Sequence, residues 1–272
     1  MKAIVNAPVC PLMSKPRWDC ELADEALFGM VVEVLEQTNE DYWRVRTHYR
    51  YEGYAPAACL LTDPAAVEAW EEKEYKIVLH KNTCDVLSEA KVQGWCLVSI
   101  PRGGRVSPVG EPENGWQKVS LPDGREGFVP ASILDVCYEA PVNLPEDQLR
   151  QKLVETAVLY EGTHYRWGGK SPLGIDCSGL VSTAYLLNGI VIYRDASIRP
   201  DFPIREITRE EMKPGDLLFF PGHVAMYMGE GKYIHSTGHN SANGVTYNSL
   251  NPDSPIYRED LAQKITEIGS YF

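Results

Sequence analysis

Through the first half of the chain, apolar residues come in short alternating runs such as Val31-Val32-Glu33-Val34-Leu35, cut at close intervals by Gly, Asn and Asp. Period-two alternation over so few residues predicts half-buried β-strands joined by tight turns. The pattern also repeats. Tyr42-Trp43-Arg44-Val45-Arg46 returns as Gly115-Trp116-Gln117-Lys118-Val119, and Glu52-Gly53-Tyr54-Ala55-Pro56-Ala57 as Glu126-Gly127-Phe128-Val129-Pro130-Ala131. Two copies of one small all-β module are therefore expected. The second has longer loops, at Pro101-Arg102-Gly103-Gly104-Arg105 and Gly110-Glu111-Pro112-Glu113-Asn114. Residues 62–74, with Asp63-Pro64 ahead of an acidic stretch, read as a short helix between the copies.

The pattern then changes period. After Asn143-Leu144-Pro145-Glu146, the apolar positions Leu149, Leu153, Ala157 and Tyr160 fall near helical spacing. A Gly-bracketed turn follows, then an apolar run of helical length from Val181 to Leu187, then strand-like sequence. A last amphipathic stretch follows Arg258-Glu259-Asp260-Leu261. The reading is an α+β domain behind two all-β modules. The expected boundaries are 1–62 for the first module, 63–73 for a helical linker, 74–139 for the second module, 140–146 for a linker and 147–272 for the α+β domain.

Composition narrows the function. The 272 residues suit two or three domains, and the net charge of −12 comes without any Lys/Arg-rich run. Neither a nucleic-acid partner nor an anionic membrane is expected. The N-terminal stretch Met1-Lys2-Ala3-Ile4-Val5-Asn6-Ala7-Pro8-Val9-Cys10 lacks the apolar core of a secretory signal. The seven cysteines are odd in number and contain no C-x-x-C pair. That usage fits a reducing cytoplasm, and scattered Cys and His residues indicate no zinc or other metal. No cofactor is expected, and a monomer is the default.

The candidate chemistry centres on Cys177, in Gly174-Ile175-Asp176-Cys177-Ser178-Gly179-Leu180. The turn leads straight into the apolar run, so the thiol falls at or near a helix N-terminus. There the unpaired N–H groups and the helix dipole are expected to favour a thiolate. Two histidines follow on predicted strands, His223 in Gly222-His223-Val224-Ala225-Met226 and His235 in Ile234-His235-Ser236. A thiol, a base and a polar group to orient the base are the parts of nucleophilic catalysis. Asp176 works against a thiolate by like charge and so needs another reason: helix N-capping, or a grip on a cationic part of a substrate.

Tyr165-Arg166-Trp167-Gly168-Gly169, Asp176-Cys177-Ser178-Gly179-Leu180 and Pro214-Gly215-Asp216-Leu217-Leu218-Phe219-Phe220 running into His223-Val224-Ala225-Met226-Tyr227 occur in this order. Together they resemble the NlpC/P60 superfamily of papain-like cysteine peptidases, which cut bacterial cell-wall peptides. The W-x-x-V and E-G-aromatic-x-P pattern of the repeats is similar to bacterial SH3-type domains. The resemblance implies a papain-like NlpC/P60 catalytic domain preceded by two small SH3-like β-barrels. It implies Cys177 as nucleophile, His223 as base, His235 as its orienting partner and the Tyr165 hydroxyl as an oxyanion donor. Residues 222–238 look most like the γ-D-glutamyl-L-diamino-acid endopeptidase branch. That branch acts on murein-derived peptides with a free N-terminal L-Ala, so Asp176 and Ser178 are expected at the substrate ammonium. Glu21 and Tyr51 fall at the matching places in the first barrel. Tyr193-Arg194-Asp195-Ala196 resembles another family segment, but Ala196 stands where relatives can have Ser, Ser197 follows, and the usual Gln is missing. The expected function is cleavage of the bond between γ-D-Glu and diaminopimelate or lysine, in cytoplasmic murein-peptide recycling. Two alternatives stay open: an endopeptidase acting on intact wall with the barrels as wall-binding modules, and an inactive peptide-binding protein.

Overall fold

The computed structural model describes residues 1–240 and 242–272. They form two compact units, Met1–Cys137 and Tyr138–Phe272.

The first unit holds the repeat as two antiparallel ladders with identical connectivity. In the first ladder the strands are β1 (Lys2–Val5), β2 (Val9–Met13), β3 (Leu22–Leu27), β4 (Val31–Glu36), β5 (Tyr42–Thr47), β6 (Glu52–Pro56) and β7 (Leu60–Leu61). Their spatial order is β3-β2-β6-β5-β4-β1-β7. The second ladder comprises β8 (Lys76–Val78), β9 (Thr83–Leu87), β10 (Cys96–Pro101), β11 (Arg105–Pro108), β12 (Trp116–Ser120), β13 (Glu126–Pro130) and β14 (Leu134–Val136). Its order, β10-β9-β13-β12-β11-β8-β14, is the same permutation. Each Pro of the repeated motif ends a strand, at Pro56 and Pro130, and opens a 3-10 turn into the last strand. The expectation of closed barrels is corrected, because both sheets are open. β3 pairs with β2 and the two-residue β7 pairs with β1, so among the described residues no strand joins the two ends of the ladder.

Between the ladders lies α1 (Pro64–Glu71), whose N-cap Asp63 accepts from the Ala66 N–H at 3.2 Å. It packs the ladders together as one body. Val67 and Trp70 are buried with Ile4 and Tyr75. The Trp70 indole donates to the Gly29 carbonyl at 2.9 Å. Phe28, from the first ladder, belongs to the core of the second beside Val78, Ile100 and Val106. Gly29 is required there. Its φ is +76°, and a Cβ would lie 2.6 Å from the Arg105 carbonyl oxygen.

The second unit packs helices on an antiparallel sheet. Its helices are α2 (Glu146–Val158), α3 (Cys177–Leu186) and the short α4 (Glu259–Ala262). A two-stranded ribbon, β15 (Lys170–Ser171) and β16 (Gly174–Ile175), leads into α3. The sheet strands are β17 (Arg205–Glu206), β18 (Leu217–Phe220), β19 (His223–Gly229), β20 (Lys232–Thr237), β21 (Gly244–Ser249) and β22 (Glu267–Ser270), in the order β17-β22-β18-β19-β20-β21. The helical spacing of α2 does what it predicts, since Leu149, Leu153, Ala157 and Tyr160 are all buried. α3 is buried along nearly its whole length and lies against β19 and β20.

Arg150 ties this unit together. From α2 it donates to Asp216 Oδ1 at 2.8 Å and to the Pro214 carbonyl at 3.0 Å. The Ser270 hydroxyl of β22 donates to the same carboxylate oxygen at 2.6 Å, and the Lys213 N–H donates to the other at 2.8 Å. Asp216 is fully buried. Replacing it with a neutral isostere leaves the guanidinium only the half-exposed Glu146, 2.8 Å from its Nε, as a charge partner, which should cost about 1–3 kcal/mol. Asp216→Asn is therefore expected to lower the unfolding free energy of the second unit, read from urea melts, by an amount of that size. An unchanged free energy would show that the pair contributes nothing net.

Candidate active site

Asp176 is extended (φ −91°, ψ −179°) and is the N-cap of α3, so Cys177 is the first residue with helical backbone. Asp176 Oδ1 accepts from the Gly179 N–H at 2.5 Å, the Ser178 hydroxyl at 3.2 Å and Arg194 Nη1 at 3.1 Å. Its Oδ2 accepts from the Gly168 N–H at 2.8 Å and Arg194 Nη2 at 3.2 Å. Arg194 also donates to the Ser178 hydroxyl at 2.8 Å. Gly179 is needed at this crossing, because a Cβ would run into the Gly169 carbonyl.

Of the two roles open to Asp176 in the sequence, capping is thus visible as hydrogen bonds. The carboxylate has about four lone-pair sites, and the donors around it already saturate them. A substrate ammonium would have to share those oxygens with Arg194. Arg194 lies in the Tyr193-Arg194-Asp195-Ala196 segment, whose resemblance implied nothing about what it holds, since its partner lies across the fold.

Cys177 is 6% exposed. Its thiol is pushed up to about 11, first by burial and then by the Asp176 carboxylate. The backbone N–H groups of Val224 and Ser178 and the Arg194 charge pull the other way without winning. The expectation of a thiolate stabilised by the helix start is corrected: burial outweighs the N–H groups, and the resting thiol is protonated.

His223 and His235 meet edge to face, with ring centroids 5.0 Å apart and His223 Nε2 2.8 Å from His235 Nδ1. The β19–β20 register, with Met226 opposite Ile234, sets His235 opposite Ala225, diagonal to His223. His235 Nε2 lies 2.9 Å from Asn248 Oδ1 on β21. Burial drives His223 down to about 4, helped by the Arg258 charge. His235 falls to about 3, from burial and then the neighbouring His223, against the opposing Asn248 bond. Tyr165 is paired in register with Ile175, two residues before Cys177. Burial and the charges of Cys177 and Asp176 raise its phenol to about 12, so it is a donor at neutral pH.

Cys177, Asp176, Ser178, Tyr165, His223 and His235 therefore share one region of the second unit. Ser197 lines a narrow cleft there with Val181, Tyr193, Asp195, Phe219 and Val224, while Ala196 is half-buried in the same segment. Glu21 and Tyr51 belong to the first unit, where Glu21 is exposed and Tyr51 half-buried. The acids that unit buries are Asp24 and Glu25, with the Tyr49 hydroxyl donating to Asp24 Oδ2 at 2.6 Å. Buried carboxylates are rare enough to mark these residues, but their burial could not be read from an ordinary acidic run in the sequence. No metal-holding group of three or more His, Cys, Asp or Glu occurs among the described residues. No helix among them is long and apolar enough to cross a membrane.

Comparison with known proteins points the same way as the geometry. The profile described as the NlpC/P60 family matches residues 162–263, and that described as a bacterial dipeptidyl-peptidase SH3 domain matches residues 12–60. Over the full length of both proteins the chain is 44% identical to "Dipeptidyl-peptidase 6" of Lysinibacillus sphaericus. It is 33% identical to "Gamma-D-glutamyl-L-lysine dipeptidyl-peptidase" of Bacillus subtilis (strain 168), over 57% of this chain and 51% of that protein. The crystal structure of an NlpC/P60 family protein from Bacillus cereus ATCC 10987 superposes over 100% of this chain and 99% of its own, with a TM-score of 0.81 at 21% identity.

Two outcomes follow from the site's electrostatics. Asp176→Asn keeps a capping oxygen but removes the carboxylate charge that pairs with the buried Arg194. The second unit should lose about 3–5 kcal/mol of stability in denaturant melts; a stable variant would place the counter-charge elsewhere. The histidines titrate below the ~6.5 of an exposed imidazole. The unfolded chain thus binds more protons than the folded one from pH 6.5 down to about 4 for His223 and about 3 for His235, so stability falls as pH falls through that window. Thermal melts from pH 7 to pH 4 should show this decline, and it should be shallower in His235→Gln.

Proposed function

Because the chain belongs to the NlpC/P60 family of cysteine peptidases, we propose that it hydrolyses the bond between γ-D-Glu and the diamino acid in cell-wall peptides that carry a free N-terminal L-Ala. The observation that carries the reading is the placement of Cys177 on the first turn of α3, which packs against β19, the strand that His223 begins. Support for the substrate class comes from the two dipeptidyl-peptidase relatives, one of them aligned over the whole chain. The release of L-Ala-D-Glu for reuse in the cytoplasm is part of the same proposal. Diaminopimelate and lysine are both retained as the diamino acid.

The chemistry follows from the resting state. A protonated thiol faces a neutral imidazole, so the proton moves as sulfur attacks rather than beforehand. Cys177 Sγ adds to the γ-carbonyl carbon and His223 takes the thiol proton. The oxyanion is met by the backbone N–H of Cys177 and the phenol of Tyr165. Collapse breaks the C–N bond, and His223 delivers its proton to the departing amine. Water then attacks the thioester, with His223 again accepting a proton, and the returning thiolate takes it back. Asp176 and Ser178, beside the nucleophile, are proposed for the amino end of the peptide, and Ser197 for the cleft next to Val224. Because Arg194 already neutralises Asp176, the ammonium's gain there is an exchange of partners rather than a new full ion pair.

L-Ala-γ-D-Glu-L-Lys and its diaminopimelate counterpart should be cut, with loss of turnover in Cys177→Ala. N-acetylation of L-Ala should lower kcat/KM by removing the ammonium charge and adding bulk, and because Arg194 already pairs with Asp176 the loss should fall short of the roughly 10⁴-fold expected where a buried polar site is left unpaired. Equal cleavage of free and acetylated peptides, measured by release of the C-terminal amine, would favour the endopeptidase on intact wall. With a base that stays neutral down to about pH 4, kcat/KM should hold on acidification to about pH 5. An acid limb near 6.5 would mean that the imidazole is not desolvated in the working enzyme.

A further inference from the structure

Beyond the nucleophile, its base and the second histidine, the geometry assigns a role to Asn248: we infer that it is a positioning residue that sets the direction of the imidazole relay. It thereby leaves Nδ1 of His223 as the nitrogen that takes the thiol proton. The inference rests on the thiol-peptidase reading above.

Asn248 sits on β21 two residues from Thr246, which pairs with His235 in register, so it shares the face of His235 on the diagonal. Its Nδ2 donates to the Ile256 carbonyl at 2.8 Å. A carbonyl only accepts, so the amide's NH2 must lie on that side and Oδ1 must face His235. That oxygen also only accepts, so His235 Nε2 carries the hydrogen. A neutral imidazole has one N–H, which makes His235 Nδ1 an acceptor, and burial keeps this ring neutral at working pH. The 2.8 Å contact to His223 then requires His223 Nε2 to donate. Its Nδ1 is left with the lone pair.

The reverse polarity would disable the base. With the amide turned over, Nδ2 would donate to His235 Nε2, His235 Nδ1 would donate to His223 Nε2, and the hydrogen of His223 would sit on Nδ1. The turned amide would also set two acceptors against each other at Ile256. That carbonyl is itself held by the Ser249 N–H at 3.1 Å, so the reference for the relay is a fixed piece of backbone. Protonation of His223 at Nδ1 during catalysis leaves every donor in the chain unchanged, so no group has to turn over as the proton passes.

The test uses the full chain labelled with 15N, as wild type, Asn248→Ala and Asn248→Asp. Long-range proton–nitrogen spectra of the imidazoles report the tautomers without any substrate. Wild type should show both His223 and His235 as Nε2–H forms at pH 7. Asn248→Ala should mix the tautomers of His235 and lower kcat on L-Ala-γ-D-Glu-L-Lys by about 10²-fold, the scale of a misplaced catalytic group, with KM little changed. Asn248→Asp keeps an acceptor toward Nε2. It gives up the Nδ2 bond to the Ile256 carbonyl, so it should keep the Nε2–H tautomers and recover part of kcat, and its charge should move the acid limb to higher pH. A wild-type His223 found as the Nδ1–H form overturns the inference, as does an Asn248→Ala variant with unaltered tautomers and kcat. If Asn248→Ala fails to fold, the wild-type and Asn248→Asp spectra still decide. A wild type that cuts no peptide would sink the peptidase reading while the tautomer result stands, so the two failures are distinguishable.

Discussion

The buried pairing of Asp176 with Arg194 is the contact on which the catalytic unit depends. It joins the start of α3, the Gly168–Gly169 turn and the segment after α3 through a single carboxylate. Without the guanidinium the carboxylate would lose its charge partner in a desolvated pocket. Capping alone asks only for an oxygen at this position; the pairing asks for a charge. This is why a residue that works against a thiolate stands directly before the thiol.

The same burial sets the protonation states. Cys177 and His223 are held as thiol and imidazole, each far from its ordinary value in the direction that opposes charge. A resting thiolate–imidazolium pair would need solvent or counter-charges to hold it. The N–H groups of Val224 and Ser178 favour the thiolate, and burial outweighs them. The histidines are aligned through ladder registers rather than loops, so their 2.8 Å contact is maintained by β19, β20 and β21 together.

The first unit follows a different rule. Two ladders of identical strand order are each too small for a substantial core. They gain one by sharing Phe28 and by packing Trp70 of the connecting helix against both. The close approach of Gly29 to Arg105 is the geometric condition for that sharing.

Much of this was legible in the chain itself. The two periods of apolar spacing separate the β repeat from the α+β unit, the repeated E-G-aromatic-x-P motif marks equivalent turns, and the local order Asp-Cys-Ser-Gly determines a capped helix with the thiol on its first turn. These are short-range matters, decided by backbone geometry within a few residues. Tertiary structure decided whatever depends on partners distant in sequence. Arg194 stands out only as part of the Tyr193-Arg194-Asp195-Ala196 segment and Asn248 not at all, because what each holds is decided when the fold sets them against Asp176 and His235. The open ends of the ladders depend on which strands are left to pair. The thiol's protonation turns on a balance between helix-start donors and burial; the sequence shows the donors, but only the packed structure shows how far water has been removed.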